Sequence, residues 1–294
     1  MTPVLELADV AARYRGARAD VVSDVFLAVD PGESLALVGE SGAGKTTLLR
    51  LLLGLARPTA GTVRFDGEPL ALRHGQQMRR FRRSVQCVFQ DPYSSLDPRR
   101  RIGSIVAEPL RSLGLDTRAG AAPKVSAALE TVGLPADAAE RYPHEFAGGR
   151  RQRIAIARAT VCEPRVLLAD EPVSALDVTT RVKVVDLLAA LKRERGLTLV
   201  MVSHDLSVVA ALCERTAVLE RGGSSNRATP HVSSAPRPSV HPPPDRQRAP
   251  LARLTPGRFS VRPRRPARQE AAAAPPEHAR TSAPGRGTTP GGRS

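Results

Sequence analysis

The 294-residue sequence contains no tryptophan, and aromatic residues make up only 3% of it. It also lacks any run of about eighteen apolar residues, the length that a membrane-spanning helix requires. The first residues, Met1 to Glu6, carry no basic segment of the kind that begins a secretory signal. We therefore expect a protein that is not exported and that does not cross a membrane by itself.

Cysteine is scarce as well. Cys87, Cys162 and Cys213 are the three cysteines of the sequence, and they stand far apart in apolar surroundings. This spacing excludes a disulfide framework and the closely paired ligands of a zinc site. The three side chains are predicted to be reduced thiols in the core of a cytosolic protein.

Acidic residues are rare in one part of the chain. Residues 224–294 contain thirteen arginines, no lysine and three acidic residues. They hold +10 of the formal net charge of +15, so residues 1–223 carry only +5. The same segment has 14 of the 26 prolines, and it cannot bury enough apolar surface to offset its chain entropy. It is predicted to be a disordered tail after a folded domain of residues 1–223.

The apolar content of 41% is sufficient for a core in the folded part. Short strand patterns fill residues 4–38, and helical spacing prevails over about 100–162. Continuous apolar strands then return, separated by the amphipathic stretch Thr179 to Arg195; they cover 166–169, 197–202 and 216–219. This order predicts an α/β fold with a mixed sheet, an antiparallel β-layer and an all-helical insertion.

One segment fits the phosphate-binding P-loop pattern G-x-x-x-x-G-K-[ST]; its residues are Gly39, Glu40, Ser41, Gly42, Ala43, Gly44, Lys45, Thr46 and Thr47. An apolar strand pattern precedes it and a helix pattern follows it, as the motif requires. Glycines allow successive N–H groups to point at one anion, and the helix N-terminus adds partial positive charge. Lys45 is expected to reach the β- and γ-phosphates, and Thr46 to ligate Mg²⁺. The sequence therefore predicts binding of a nucleoside triphosphate.

A second motif is an apolar strand, 165–169, that ends in Asp170 and Glu171. This is the Walker B pattern of P-loop ATPases. Asp170 is expected to hold Mg²⁺ through water, and Glu171 to polarise the water that attacks the γ-phosphate.

With these motifs the sequence resembles the ATP-binding subunits of ABC transporters over roughly residues 4–222. The resemblance implies that Tyr14 stacks on adenine and that Gln90, in the Q-loop, senses the γ-phosphate, contacts Mg²⁺ and couples to the membrane partner. It further implies that His204, in the H-loop 203–205, contacts the γ-phosphate. Gln90, Glu171 and His204 are therefore the candidate catalytic residues, with ATP and Mg²⁺ as cofactors.

Two further segments carry the resemblance. Residues 146–153 match the family's signature motif, with Gly148 and Gly149 at the start of a helix, and residues 174–177 match the D-loop that ends in Asp177. In this family ATP lies between two such domains arranged head to tail. The resemblance thus implies a second ATP-binding subunit, identical or different, together with transmembrane permease subunits and, indirectly, a solute-binding protein. The expected location is the cytoplasmic face of the cell membrane, and no nucleic-acid partner is expected.

A finer resemblance is carried by residues 89–99 and 142–146, which are similar to the second ATPase subunit of the oligopeptide, dipeptide and nickel importers. The predicted function is therefore ATP hydrolysis that powers import of peptides or a similar small solute. Two alternatives stay open. One is a degenerate subunit that binds ATP as a scaffold with little hydrolysis, and the other is an ABC-type ATPase whose arginine-rich tail binds nucleic acid.

The sequence departs from the family in two places. Ala147 stands where the signature normally has a serine whose hydroxyl donates to the partner's γ-phosphate, and Arg150 stands where it has glutamine. A hydrogen bond to a charged group is worth about 1.5–3 kcal/mol, so a slower site is plausible. The family pattern also stops near Gly223. Residues 224–294 are then a genuine disordered basic tail, an anchor to anionic lipid, or the product of a shifted reading frame.

Overall fold

A computed structural model of the chain describes residues 2–14, 16, 19–222 and 227–233. The described residues form two β-sheets with helices packed between and beside them. In chain order the strands are β1 (Leu5–Ala12), β2 (Val22–Val29), β3 (Ser34–Gly39), β4 (Ala60–Phe65), β5 (Glu68–Pro69), β6 (Val85–Val88), β7 (Val166–Asp170), β8 (Thr198–Val202), β9 (Arg215–Gly222) and β10 (Arg227–Ser233). The smaller sheet is antiparallel, in the order β2-β1-β4-β5. The larger has the order β10-β9-β3-β8-β7-β6 and is parallel except for its β9–β10 pair. The predicted mixed sheet and antiparallel β-layer are confirmed.

The helices lie between and beside these strands. They are α1 (Lys45–Leu52), α2 (Gly75–Ser84), α3 (Pro92–Ser95), α4 (Ile102–Val106), α5 (Glu108–Ser112), α6 (Arg118–Thr131), α7 (Gly148–Thr160), α8 (Val178–Arg195) and α9 (Leu206–Leu212), with two 3₁₀ turns at Ala136–Glu140 and Pro143–Glu145. The four helices α4 to α7 and both turns form the helical insertion that was predicted for about 100–162. Within the described residues, no helix combines the length and the apolar character needed to cross a bilayer.

The larger sheet separates two apolar cores, because alternate residues of a strand point to opposite faces. Leu35 and Leu37 of β3 face the core shared with α1 and the antiparallel sheet, whereas Ala36 faces the core shared with the helical insertion. Strands β7 and β8 divide their side chains in the same way. A parallel strand that is covered on both faces is apolar throughout, and this explains the continuous apolar runs of the sequence.

The end of the larger sheet differs from the prediction that a tail starts at residue 224. The backbone of Arg227–Ser233 forms β10, which pairs with β9 from Arg227 opposite Gly222 to Ser233 opposite Thr216. Strand pairing uses main-chain groups and thus tolerates an unfavourable composition, and Pro230 is acceptable because β10 is an edge strand. The remainder of the predicted tail, residues 224–226 and 234–294, lies outside the described residues.

All three cysteines are free; Cys162 is buried, as predicted, whereas Cys87 and Cys213 are half-buried at the edge of the core. Burial is the main cause that raises the pKa of each thiol, to about 12 for Cys87, about 11 for Cys162 and about 12 for Cys213. A buried thiol with a raised pKa has little thiolate and little reactivity. The cysteines therefore serve the packing of the core.

Candidate nucleotide-binding site

The predicted functional residues follow four neighbouring parallel strands. The P-loop begins at the end of β3, His204 follows β8, Asp170 and Glu171 stand at the end of β7, and Gln90 follows β6. Because parallel strands have their carboxyl ends at the same edge of a sheet, the topology collects these residues at one edge. In open α/β sheets this edge is the usual place for a ligand.

The P-loop has the backbone that its glycines permit. Gly39, Gly42 and Gly44 have positive φ angles of 151°, 78° and 93°. A Cβ at Gly39 would lie 2.4 Å from the carbonyl oxygen of Leu219, and one at Gly44 would lie 2.4 Å from a methyl group of Val22. Gly39 and Gly44 thus require glycine for two reasons, the left-handed backbone and the close packing, and Gly42 for its backbone conformation.

The helix that follows the loop begins without a side-chain cap. Gly44 occupies the N-cap position of α1 and has no side chain that could accept a hydrogen bond from the N–H groups of the first turn. The N–H groups at the start of a helix need an acceptor, and an anion satisfies them well. Ala43 is buried beneath the loop, and Thr46 is exposed at its end. The P-loop and the uncapped start of α1 therefore form a suitable binding site for a phosphate group.

Lys45 folds back over this loop. Its Nζ donates to the carbonyl oxygens of Gly39 and Glu40, each at 2.7 Å. The ammonium group is thus held above the loop, at the place where the phosphates are expected.

Tyr14 and Thr47 are joined by a hydrogen bond of 2.9 Å between their hydroxyl groups. Thr47 is buried, whereas Tyr14 is 46% exposed. The bond ties the tyrosine to the first turn of α1 and leaves its ring accessible. This position is compatible with the predicted stacking on adenine, which remains a prediction.

The three predicted catalytic residues lie together. One carboxylate oxygen of Glu171 accepts a hydrogen bond of 2.9 Å from the side-chain amide of Gln90, and the other lies 3.2 Å from Nδ1 of His204. The backbone N–H of Glu171 donates to the carbonyl of Val202 at the end of β8. Glu171 has a φ angle of 44°, which is uncommon for a residue with a side chain and is typical of functional positions. The loops after β6, β7 and β8 therefore meet at one carboxylate.

Asp170 is half-buried next to this group. Burial is the main cause that raises the pKa of its carboxyl, and the charge of Glu171 adds to the effect, whereas Arg50 and Lys45 oppose it. Because burial disfavours the charged form of this carboxyl, a cation bound nearby would stabilise the carboxylate.

No cluster of three or more His, Cys, Asp or Glu side chains that could hold a metal ion occurs in the described part of the chain. A site for Mg²⁺ that takes one or two protein ligands and completes its shell with water and phosphate oxygens does not need such a cluster. The exposed hydroxyl of Thr46 and the carboxylate of Asp170 fit this sparse type of site.

The predicted signature motif forms the start of α7. Ala147 is the N-cap residue and has no side-chain hydrogen bond to the helix, and Arg150 is exposed. A Cβ at Gly148 would meet its nearest atom, the hydroxyl oxygen of Tyr93, at 3.9 Å, whereas a Cβ at Gly149 would lie 1.9 Å from Cγ2 of Thr180. The first glycine is open to its surroundings, and the second is packed against α8.

Asp177 is engaged in the fold. Its carboxylate caps α8 by accepting a hydrogen bond of 3.0 Å from the N–H of Thr180. Ser174, three residues earlier, donates from its hydroxyl to the carbonyl of Glu171 at 3.1 Å. The loop 174–177 is thus hydrogen-bonded to Glu171 at its first residue and caps α8 with its last residue. The predicted contact of Asp177 with nucleotide remains a prediction.

Sequence reasoning missed one polar group at the site. Nη1 of Arg181 in α8 lies 2.8 Å from a carboxylate oxygen of Asp205, the residue after His204. The two residues are 24 positions apart, and no local pattern connects them. The signal was limited to a charged residue near the helix N-terminus, and this is too common to be informative.

The comparisons with known proteins agree with this geometry. The ABC transporter family model matches residues 22–174. A putative peptide import ATP-binding protein of Brucella ovis is 48% identical over 223 residues, which cover 75% of this chain and 70% of that protein. The glutathione import ATP-binding protein GsiA of Salmonella choleraesuis is 47% identical over 201 residues, which cover 68% of this chain and 32% of GsiA.

Solved structures are similar as well. The dimeric structure of a bacterial ABC transporter cassette matches with a TM-score of 0.65 at 31% identity, over 73% of this chain and 93% of that one. An ATP-binding cassette in a post-hydrolysis state, bound to ADP and phosphate, matches with a TM-score of 0.67 at 28% identity, over 78% and 98%. A component of a Clostridium perfringens ABC transporter complex has a TM-score of 0.68 at 24% identity, over 80% and 89%, and is a likeness of fold alone.

Proposed function

The chain belongs to the ABC transporter family of ATP-binding proteins, and on this basis we propose that it is the ATP-hydrolysing subunit of an importer for peptides or a similar small solute. The observation that carries the proposal is the carboxylate of Glu171, which is held between Gln90 and His204 at the same sheet edge as the P-loop. The names of the relatives, peptide import and glutathione import, support the class of solute.

The P-loop binds the phosphates of ATP through its backbone. The uncapped N–H groups at the start of α1 and the left-handed glycines before it form a concave row of donors. Lys45 would exchange its two carbonyl acceptors for oxygens of the β- and γ-phosphates. The ring of Tyr14 is accessible for stacking on the base.

Hydrolysis then depends on Glu171. The attacking water needs an acceptor that orients it in line with the bond to be broken, and Glu171 supplies this carboxylate. Gln90 and His204 fix the two oxygens of the carboxylate, so that little reorganisation is needed when the water is positioned. His204 is additionally expected to reach the γ-phosphate.

Mg²⁺, when bound with ATP, neutralises the charge on the phosphate oxygens. Thr46 and Asp170 are the residues that would hold it, with Gln90 as a further contact. A bound cation would offset the cost of burying the Asp170 carboxylate, which is the main cause of its raised pKa.

A complete site takes two ATP-binding domains. The uncapped N-terminus of α7, with Gly148 and Gly149, would bind the phosphates held by a partner domain, and this P-loop would be covered by the partner's helix. The partner is a second copy or a related subunit. The pair would sit on the cytoplasmic face of the membrane against permease subunits, with a solute-binding protein as the indirect source of specificity.

A second candidate function is a subunit that binds ATP but contributes little hydrolysis. The specific observation in its favour is Ala147, the N-cap of α7, which lacks the hydroxyl that the family places there. Exposed Arg150 is the second departure. The nucleic-acid alternative depends on arginines that, apart from Arg227, lie outside the described residues, and nothing in the described part of the chain favours it.

The proposal is tested by expressing the full chain together with its candidate permease subunits. We expect them to co-purify and to hydrolyse ATP faster when a solute-binding protein loaded with peptide is added. Binding of ATP without measurable hydrolysis in the assembled complex would favour the scaffold function. Co-purification with nucleic acid in place of the permease would contradict both.

A further inference from the structure

A cavity of about 500 Å³ opens beside Glu171 and His204. Two loops border it, one of residues 174–177 and one of residues 203–205, which we call the Asp177 loop and the His204 loop. Arg181, which belongs to neither loop, is also among the residues that line the cavity. Its position between the two loops suggests a role in the ATPase reaction proposed above.

The His204 loop is fixed through its neighbours. The side chain of His204 is 66% exposed, and its polar contact within the described residues is the one with Glu171. The backbone N–H of Asp205 donates to the hydroxyl of Ser203 at 3.1 Å, and Ser203 is buried. The orientation of the imidazole therefore depends on how firmly Ser203 and Asp205 are held.

Asp205 is held at both carboxylate oxygens. Oδ1 caps α9 by accepting hydrogen bonds from the N–H groups of Ser207 and Val208 and from the hydroxyl of Ser207. Oδ2 accepts a hydrogen bond of 2.8 Å from Nη1 of Arg181. The first set of contacts is local, and the second connects the His204 loop to α8.

Arg181 is also connected to the Asp177 loop. Its Nη2 donates to the carbonyl of Leu176 at 3.4 Å, and its backbone N–H donates to the carbonyl of Asp177 at 2.8 Å. One planar guanidinium thus contacts both loops, a geometry that the single ammonium of lysine does not reproduce.

The presence of an arginine at position 181 is not explained by the stability of helix α8. A cation near the N-terminus of a helix gains nothing from the helix dipole. A partly exposed ion pair contributes little to folding, and Arg181 and Asp205 are 33% and 25% exposed. The Arg193–Glu194 pair at the other end of the same helix is 73% and 67% exposed and connects no loops.

We propose that Arg181 is a positioning residue that joins the His204 loop to the Asp177 loop and so keeps His204 against Glu171. It acts through Asp205 and the Leu176 carbonyl and does not itself contact the nucleotide. The inference rests on the proposed ATPase function. It adds to that function a residue whose removal slows turnover and leaves ATP binding unchanged.

The first test does not require activity. Hydrogen exchange of the full chain is compared for the wild type, Arg181→Gln and the control Arg193→Gln on the same helix. We expect Arg181→Gln to accelerate exchange in residues 203–208 and 174–177 and nowhere else, and Arg193→Gln to leave these segments unchanged. Equal exchange in the wild type and Arg181→Gln would overturn the proposal.

The second test uses ATP turnover in the assembled complex. Arg181→Gln and Asp205→Asn, which keeps a capping side chain, are each expected to lower kcat about tenfold with KM for ATP nearly unchanged. The double variant should be no slower than either single variant, and Arg181→Lys should recover part of the rate. Multiplied losses in the double variant, or a rise in KM with unchanged kcat, would overturn the proposal.

The two tests separate the two hypotheses. If the wild-type complex does not hydrolyse ATP, the proposed function fails, and the exchange experiment still decides whether Arg181 joins the loops. If the complex hydrolyses ATP and Arg181→Gln is as fast as the wild type, the proposed function stands and the role of Arg181 is refuted.

Discussion

The P-loop edge of the sheet and the N-terminus of α7 both present uncapped helix N–H groups, but their surroundings differ. At the sheet edge the functional side chains are held within the chain: Lys45 donates to the backbone carbonyl oxygens of Gly39 and Glu40, and Glu171 lies between the side chains of Gln90 and His204. At α7, Ala147 offers no side-chain bond and Arg150 is exposed. The first region is organised within one chain.

The difference indicates that the two regions have different roles. A region that is preorganised within the chain can bind nucleotide before any partner arrives. The start of α7 has its backbone donors in place but lacks the serine hydroxyl of the family signature, and we expect its contribution to catalysis to depend on the partner domain. Four predictions test this comparison, from the largest expected effect to the smallest.

Of these four predictions, removal of the P-loop ammonium should have the largest effect. Lys45→Ala deletes a charged donor to the phosphates, and one such hydrogen bond is worth about 1.5–3 kcal/mol. We expect affinity for ATP, measured by calorimetry on the full chain, to fall at least tenfold, or about 1.4 kcal/mol. Lys183→Ala, an exposed lysine of α8, is the control and should bind as the wild type does. Equal affinities would mean that Lys45 does not contact the phosphates.

Restoration of the family signature should have the next largest effect. Ala147→Ser combined with Arg150→Gln adds a hydroxyl donor toward the partner's phosphate, and we expect ATP turnover of the assembled complex to rise by up to about tenfold. Binding of ATP to the isolated chain should not change, because its own P-loop is untouched. An unchanged or lower rate would show that this site is adapted as it stands or does not limit turnover.

The two signature glycines should differ in stability. Gly149→Ala brings a methyl group into Thr180 of α8, and such overpacking costs about 1–3 kcal/mol of unfolding free energy. Gly148→Ala has room and should be close to neutral. Denaturant unfolding measures both. Adding Thr180→Ser, which deletes the obstructing methyl, should recover most of the loss in Gly149→Ala; if both glycine variants are equally stable, the close contact with α8 is not real.

The smallest effect concerns the cap of α8 at low pH. The hydroxyl and N–H of Thr180 hold the pKa of Asp177 below its usual range. A carboxyl whose pKa is lowered by folding stabilises the protein above its unfolded pKa, near 3.9, and loses this contribution as the pH falls through its folded pKa. Asp177→Asn keeps a capping side chain but does not titrate. Its unfolding free energy should therefore fall less than that of the wild type between about pH 5 and pH 3.

The sequence was most informative where function needs a fixed local pattern. The P-loop, Glu171 and His204 each follow a short apolar strand, so strand order alone brought them to one edge. Helix α2 was not predicted, because only Met78 and Phe81 among its ten residues face the core, and two apolar residues are too few to establish a helical period. The Arg181–Asp205 contact could not be predicted, since it joins two helix starts whose separation in space depends on the packing of the whole domain.

The central claim is that Glu171, held by Gln90 and His204, orients the water that attacks ATP. The most direct measurement compares MgATP binding and turnover of the wild type and Glu171→Gln in the assembled transporter. Loss of the carboxylate should lower turnover by about 100-fold or more, while MgATP still binds because the P-loop is unchanged. Wild-type turnover in Glu171→Gln would contradict the account.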